Sequence, residues 1–527
     1  MSEVMTKPEP IFKKPSSDSP AVEVFAVYGV EPEVQAYAMA KYSRSALSMK
    51  ESLKEITAQK AEKFLNTFYF QYGHRSIADL AHIALAIEKL SILAAIAVAD
   101  EQRWDGQERS TRYQDFRKSG FYTPDFGDDT PSRDLYRKTI ESLFSSYQSV
   151  SEKIFLYLRE ITPRPADMKP EAYERTLRAR AFDVSRYLLP LATNTSLGEI
   201  VNARTLESQV SHLLSYTHKE VRNLGELVKR ATNSAAYNVN HTSLRKLVDD
   251  IREFSPELAA RAESELLKDI RVAPTLVKYA DANPYEMETR RELRQIATEL
   301  MDGMPHQAAG PVDLLDPEPL ETELATTLVY EHSSHSYRQI RQTIADIGET
   351  RRNEIIEHGI RHRGRHDEPL RAFRAGQQFR FDILMDIGGF RDMHRHRRCI
   401  QIEQQFTTEQ GYDTPPEVDP AGALADYRAA MESARQAATK LSQGGTSPEA
   451  RENSQYVIPL GFRKRALFKM DFAEAVYISE LRTGPAGHTS YRNVAYAMYE
   501  AVKTQYPDLA RYFRVHDVRE PVDLLKR

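Results

Sequence analysis

The 527-residue chain repeats itself, and the repeat limits what it can fold into more than any single motif does. A helix-forming segment, Ala38 to Leu65, leads into Tyr72-Gly73-His74-Arg75-Ser76, and Leu328 to Ile356 leads in the same way into Arg363 to Pro369. His366 follows His74 by 292 positions. Phe121 to Pro124 is matched by Gly411 to Pro415 at an offset of 291, and Ser185 to Leu191 by Ser454 to Leu460 at an offset of 269. The order is kept while the spacing drifts by the length of a loop or two, as expected of an old tandem duplication.

Each half carries both kinds of periodicity. Phe379, Phe381, Ile383 and Met385 alternate with Arg380 and Asp382, and Ile83, Leu85 and Ile87 repeat the pattern, so each reads as a strand with one buried face. Asp134 to Arg159, Glu199 to Ala231 and Ala421 to Leu441 run at helical spacing. Asn283 to Glu321, with Pro305, Pro311, Pro317 and Pro319, reads as a link. The expected class is α/β (α+β) and helix-rich, in two similar lobes. The expected parts are a flexible segment at 1–20, lobes at 21–282 and 322–527, and a link at 283–321. No Gly-x-Gly-x-x-Gly is present, which argues against a dinucleotide-binding Rossmann unit.

Composition removes other classes. Hydrophobic residues at 41% and charged residues at 28% mark a globular chain able to bury a core, and the single cysteine, Cys399, excludes an internal disulfide framework. The formal net charge of -4 gives no general surface for nucleic acid. Leu80 to Ala99, the most apolar stretch, is interrupted by Glu88 and Lys89 and is too short to span a bilayer. Nothing in the first twenty residues resembles a signal peptide, so a cytoplasmic protein with neither membrane nor nucleic-acid partners is expected.

Two clusters could carry chemistry. His394 to Arg398 is five successive basic or imidazole side chains, which repel one another unless anions lie nearby. Guanidinium forks suit phosphate oxygens, although a solvated basic face, an RNA patch and a His394/His396 metal pair are competing readings. In the first half, Glu108, Ser110 and Arg112 alternate, so an extended segment would project all three to one side. Trp104, within the same stretch, reads as a packed anchor in preference to a stacking platform.

These motifs together resemble the flavin-dependent thymidylate synthases. That family's signature is Arg-His-Arg, two residues, Ser, one residue, Asn-Glu, one residue, Ser, one residue, Arg-Tyr. A Gly-His-x-Ser/Thr segment precedes it, and Leu-Pro and Val-Asn-Ala-Arg segments follow. The resemblance covers about 30 to 240 and 325 to 515, and the halves divide the signature. The first half keeps Gly73-His74-Arg75-Ser76, Glu108-x-Ser110-x-Arg112-Tyr113, Arg186 before Leu189-Pro190, and Val201-Asn202-Ala203-Arg204. The second keeps Arg395-His396-Arg397, Glu403, Leu481-Arg482 and His488. Family spacing puts Asp100, Glu101 and Gln102 where the first half should carry Arg-His-Arg, whereas an ungapped offset of 292 sets Arg103 opposite Arg395. Gln405, Thr407 and Gln455 replace the second half's Ser and two arginines.

The resemblance implies a nucleotide site shared between units. Arg395 and Arg482, as catalytic and substrate-binding residues, would face Glu108, Ser110, Arg112 and Arg186. His74, Ser76, Asn202, Arg204, His396, Arg397 and His488 would hold FAD. No metal is implied. The reaction implied is reductive methylation of deoxyuridine monophosphate at C5, with NADPH and methylenetetrahydrofolate as co-substrates. The opposite pairing, Asp100 and Leu213 against Gln405, Thr407 and Gln455, should bind no phosphate. Two such chains would form a homodimer that rebuilds a pseudo-tetramer. A flavin-dependent enzyme acting on another pyrimidine nucleotide and an inactive flavin- or nucleotide-binding paralogue remain open alternatives.

Overall fold

A computed structural model describes residues 27, 29–41, 49–55, 58–66, 75–365, 367–444 and 449–525. The expected flexible segment at 1–20, and Gly73, His74 and His366, lie outside the described residues. Each half builds an antiparallel sheet that includes its one predicted strand and others the alternation did not reveal. In the first, β1 (His82–Ser91), β2 (Trp104–Glu108) and β3 (Asn194–Asn202) stand in the order β1-β3-β2. In the second, β5 (Phe379–Asp386), β6 (Ile400–Glu403) and β7 (Arg463–Met470) stand as β5-β7-β6, and β4 (Val312–Leu314) is added beside β5. Long helices, Thr130–Ile161 and Leu424–Gly444, follow the second strand of each set.

The two sheets superpose strand for strand in their ladders, and this fixes the register. Glu108 stands opposite Leu197 and Glu403 opposite Ala466, two partners separated by the same 269 positions as the Leu-Pro segments. Ser91 stands opposite Asn194 and Asp386 opposite Arg463, again 269 apart. Ser91 caps the helix Ile92–Ala99 by accepting from Ala94 N, and Asp386 caps Ile387–Met393 by accepting from Gly389 N. Glu108 and Glu403 are therefore equivalent, Asp100 stands in the place of Arg395, and the ungapped match of Arg103 to Arg395 is excluded.

The lobes meet on a pseudo-twofold axis between Pro190 and Pro459, which form a single antiparallel bridge. The hydrogen bonds around it are reciprocal. Leu191 N donates to Ile458 O and Leu460 N to Leu189 O, while Ala192 N donates to Tyr456 O and Gly461 N to Tyr187 O, all at 2.9 Å. Such self-complementary pairing is the mark of a twofold interface, here built inside one chain. Side chains of both halves share one continuous apolar core, and a second core around Leu328, Tyr337 and Ile355 joins the second half to the helix Pro284–Met301 through Leu293 and Ile296.

Two sequence expectations are corrected, and the expected link carries structure of its own. The helical reading of Glu199 to Ala231 begins inside β3, and two helices, Ala203–Leu214 and Lys219–Asn233, follow it. The strand at Phe379–Asp386 is buried on both faces. Its polar side is covered by ion pairs, Asp382 with Arg465 at 2.9 Å and Arg380 with Glu323 at 3.5 Å. The segment 283–321 carries the helix Pro284–Met301 as well as β4, whose backbone extends the second sheet. Among the described residues, no helix is long and apolar enough to cross a membrane.

Candidate functional site

The division of motifs between halves becomes a place in space at the lobe junction. Glu108 ends β2, and the chain then turns instead of continuing as a strand, so the expected alternation stops at Ser110. Ser110 Oγ accepts from the Arg112 amide at 3.2 Å, and the turn sends the Arg112 side chain inward. Its guanidinium donates to both carboxylate oxygens of Asp183, at 2.9 and 3.1 Å. It also reaches the other lobe, donating to Tyr491 Oη at 2.9 Å and to the Ala486 carbonyl at 3.1 Å.

Arg186 lies one helical turn beyond Asp183 and is 2% exposed, so it is no surface ion pair. Both its terminal nitrogens donate to Asp392 Oδ2 of the second lobe at 3.3 Å. Its Nε makes no hydrogen bond, and Asp183 Oδ1 is 3.6 Å away. Arg391 pairs across the junction with Glu108 and donates to Thr111 Oγ1 at 3.3 Å. Arg482 lies over one Tyr491 contact, its guanidinium carbon 5.5 Å from the ring centroid, the same distance as that of Arg112. Arg395 is exposed, its side chain makes no hydrogen bond among the described residues, and it lies close enough to Asp392 to stabilise its charge.

The electrostatics follow from burial. Desolvation pushes the Asp183 carboxyl up, but His488, Arg186 and Arg112 outweigh it and hold the group well below the usual carboxylate range. At Asp392, burial is likewise overcome by Arg186, Arg112, Arg395 and Arg482. Arg112, Arg186, Arg391, Arg395 and Arg482 thus face Asp183, Asp392 and Glu108, five cations against three anions. An excess of two positive charges in a half-buried junction is suited to a dianion such as a phosphate monoester.

His396 and Arg482 position each other. Arg482 Nε donates to His396 Nε2 at 2.7 Å, which makes that nitrogen an acceptor and leaves Nδ1 to carry the proton toward Glu474 Oε1, 3.6 Å away. Burial pushes the His396 pKa down, in keeping with a neutral ring. Arg397 lies 5.1 Å over the Trp104 ring and pairs with Asp105 at 3.1 Å, and Trp104 itself is packed as expected. His488 bridges the lobes, with Nε2 2.9 Å from Tyr187 Oη and Nδ1 3.2 Å from Asp183.

The remaining expected residues gather elsewhere. Asn202 caps the helix Ala203–Leu214 by accepting from Thr205 N at 2.9 Å, Arg204 pairs with Asp79 at 3.3 Å, and Ser76 is exposed nearby in the same lobe. None of these bonds reaches the arginine cluster. His394 and His396 do not form a pair: His394 Nδ1 meets Gln401 Oε1 at 2.8 Å. His394, Asp100 and Glu403 bring ligand-type atoms within 4.8 Å of one another, but Arg371 and Lys464 pair with the two carboxylates.

Asp183, Asp392, Arg391 and Tyr491 escaped the sequence reading. A signal did exist for the two aspartates. Each precedes an expected arginine, Arg186 or Arg395, by three positions, which is one turn of helix.

The sequence model of the thymidylate synthase complementing protein family matches residues 27–236 and again 316–508. The chain belongs to this family. It contains the family unit twice, in agreement with the pseudo-twofold. A UPF0159 protein of Chlamydia muridarum is 29% identical over 533 residues, covering 95% of this chain and 93% of its own length. One from Thermoplasma acidophilum is 22% identical over 519 residues, covering 91% and 94%. A flavin-dependent thymidylate synthase of Clostridium tetani is 24% identical over 215 residues, 40% of this chain and 82% of its own. Among solved structures, ThyX of Helicobacter pylori complexed with FAD and dUMP is 15% identical with a TM-score of 0.26, over 38% of this chain and 89% of that one. The UMP/dUMP methylase PolB of Streptomyces cacaoi is 17% identical with a TM-score of 0.26, over 38% and 84%.

Proposed function

We propose that the junction cluster is the active site of a flavin-dependent enzyme that reductively methylates deoxyuridine monophosphate at C5. The observation that carries this reading is the meeting of Arg112 and Arg186 from one lobe with Arg391, Arg395 and Arg482 from the other, with a net charge matched to a phosphate dianion. Family membership and the Clostridium tetani relative supply the flavin chemistry. In this reading Arg112, Arg186 and Ser110 hold the phosphate, with Glu108 fixing Arg391 beside it. Arg482, oriented by His396, favours negative charge on the pyrimidine carbonyls.

The donor set fits an anionic planar cofactor in two separate pieces. Arg395, His396 and Arg397, with His488 behind them, offer cations and ring faces at the junction, whereas Ser76, Asn202 and Arg204 lie on the other patch. An FAD held by both sets therefore draws on two chains, which is the basis for proposing a cytoplasmic homodimer that completes a pseudo-tetramer. In the same reading the units span 21–282 and 322–527, with 283–321 as a structured connection. The chemistry supplied when bound is hydride donation by reduced flavin, with NADPH as electron source and methylenetetrahydrofolate as carbon donor.

The test is the visible spectrum of the purified chain loaded with FAD and titrated with deoxyuridine monophosphate. A flavin band that shifts saturably, and no longer shifts in Arg112→Ala and Arg482→Ala, supports the site. Flavin that binds without a nucleotide response would redirect the reading to another substrate. Nucleotide response retained in both variants would remove the composite site altogether.

A further inference from the structure

The pseudo-twofold generates a second junction, and the structure keeps a cavity there of about 670 Å³. Asp100, Gln405 and Gln455, the counterparts of Arg395, Ser110 and Arg186, line it. Arg482 and Arg112 correspond to Leu213 and Thr407, and Arg391 to Ile96, so all five arginines of the first junction are absent from the second. The four cations that remain on its walls all face carboxylates. Arg371 pairs with Asp100, Lys464 with Glu403 at 2.7 Å, Arg290 with Glu286 at 3.1 Å, and Arg294 approaches Glu452 at 3.9 Å. No positive charge is in excess, so a phosphate has nothing to neutralise it.

The polar lining is nevertheless built. His218 occupies the place of His488, and its ring meets Tyr456 with centroids 5.7 Å apart, as His488 meets Tyr187 at 5.5 Å. His218 is 5% exposed and lines the cavity, its Nδ1 is taken by Thr217 Oγ1 at 3.2 Å, and its Nε2 has no partner at good hydrogen-bond geometry, the Gln455 side chain beside the ring interacting with it only weakly. His332 Nε2 lines the same cavity and is also unpartnered. Burial holds the His218 pKa at about 3 and that of His332 at about 4, so both rings are neutral at physiological pH. His212, Tyr216 and His218 form a row of rings along one wall, with successive centroids 6.3 and 5.6 Å apart. The Gln455 amide borders the His218 end of that row.

We infer that this second junction is a binding site for an uncharged planar heterocycle bearing both hydrogen-bond donors and acceptors, a nucleobase or nucleoside without phosphate. Neutral imidazole nitrogens and a primary amide can each serve a base edge, a single ring of the tilted row can stack on a planar ligand, and the volume suits a molecule of nucleoside size. With no cation in excess of the carboxylates, this junction lacks the net positive charge a monophosphate needs. The two junctions of one chain thus separate a charged ligand from an uncharged one.

The experiment is calorimetric titration of the full chain with uridine and thymidine, and with deoxyuridine monophosphate, in the wild type and in Arg482→Ala. Saturable nucleoside binding that survives Arg482→Ala is expected. It should weaken about tenfold in Gln455→Leu and in Tyr216→Leu, a loss typical of one or two buried contacts. Far-UV circular dichroism and undiminished monophosphate binding show that those two variants remain folded. Three outcomes would overturn the inference: no nucleoside or base bound at millimolar concentration, nucleoside binding lost in Arg482→Ala, or monophosphate binding that Gln455→Leu abolishes.

Discussion

Replacing Arg112 tests the junction as a physical object, apart from any activity. Its guanidinium makes four hydrogen bonds, two to a carboxylate that is 3% exposed and two to the opposite lobe. Breaking a buried pair by removing one partner costs about 3–5 kcal/mol, because the surviving charge is left uncompensated. Asp183 here keeps His488 at 3.2 Å and Arg186 at 3.6 Å, so Arg112→Ala should fall at the lower end, about 3 kcal/mol. Asp183→Asn alone should cost about as much, while the double variant Arg112→Ala/Asp183→Asn should cost less than the sum by about 2 kcal/mol. The chain has one tryptophan, Trp104, packed under Arg397 at the same junction. Urea unfolding can therefore be followed locally by its fluorescence and globally by far-UV circular dichroism, and agreement of the two probes validates the free energies. A single-variant cost below about 1 kcal/mol, or strict additivity, would mean that Arg112 and Asp183 are not the buried pair described.

The same geometry sets three further outcomes. Burial raises the Glu199 carboxyl from 4.5 to about 7, with Gln209 beside it only partly offsetting the effect. The folded chain then holds a proton that the unfolded chain releases, so this contribution to stability is complete below about pH 4.5 and lost as pH rises to about 7. Its size is about 3 kcal/mol, and Glu199→Gln should flatten the urea midpoint over that window. Gly106 faces the Trp104 ring and the Gly198 carbonyl so closely that a Cβ would collide with both, and backbone cannot give way. Gly106→Ala should therefore destabilise by about 2–3 kcal/mol and alter Trp104 emission. Asp392→Asn keeps an acceptor for Arg186 but removes a negative charge from the cluster. Monophosphate affinity should rise several-fold with a steeper dependence on salt, and an unchanged salt dependence would show that Asp392 does not compete with the ligand.

The parts of this architecture that were legible in the sequence are those that leave a periodic or repeated trace. The alternation of Phe379 to Met385 and of Ile83 to Ile87 marked the first long strand of each sheet, and the offset of 269 between the two Leu-Pro segments proved to relate the strands β3 and β7 on which the others pair. The division of arginines between halves was readable because the residue types are rare and their spacing is short. Turns and carboxylates leave weaker traces. The run Glu108-x-Ser110-x-Arg112 looks extended, yet the strand stops at Glu108: Arg109 N makes one more bond, to Ser196 O, and the chain then turns, with Ser110 Oγ accepting from the Arg112 amide. Asp183 and Asp392 sit on helices among many acidic residues, and only tertiary contact sets them apart. β4 has three residues, too few for any alternation to register.

Covalent linkage of the two units explains why the junctions could diverge. In a symmetric dimer every residue appears at both junctions, so exchanging Arg186 for glutamine would strip both sites at once. In one chain the equivalent positions are independent, and Gln455 can stand opposite an intact Arg186. The physical pressure on the second junction is then desolvation. A buried guanidinium without a phosphate or a carboxylate costs several kcal/mol, so arginines lost from ligand duty must be either paired or replaced. Both outcomes are visible there. Arg371 and Lys464 are neutralised by Asp100 and Glu403, while the counterparts of Arg112, Arg186 and Arg482 have become Thr407, Gln455 and Leu213. What this pressure does not remove is polar capacity without charge, and the unpartnered Nε2 of His218 is the residue of that process.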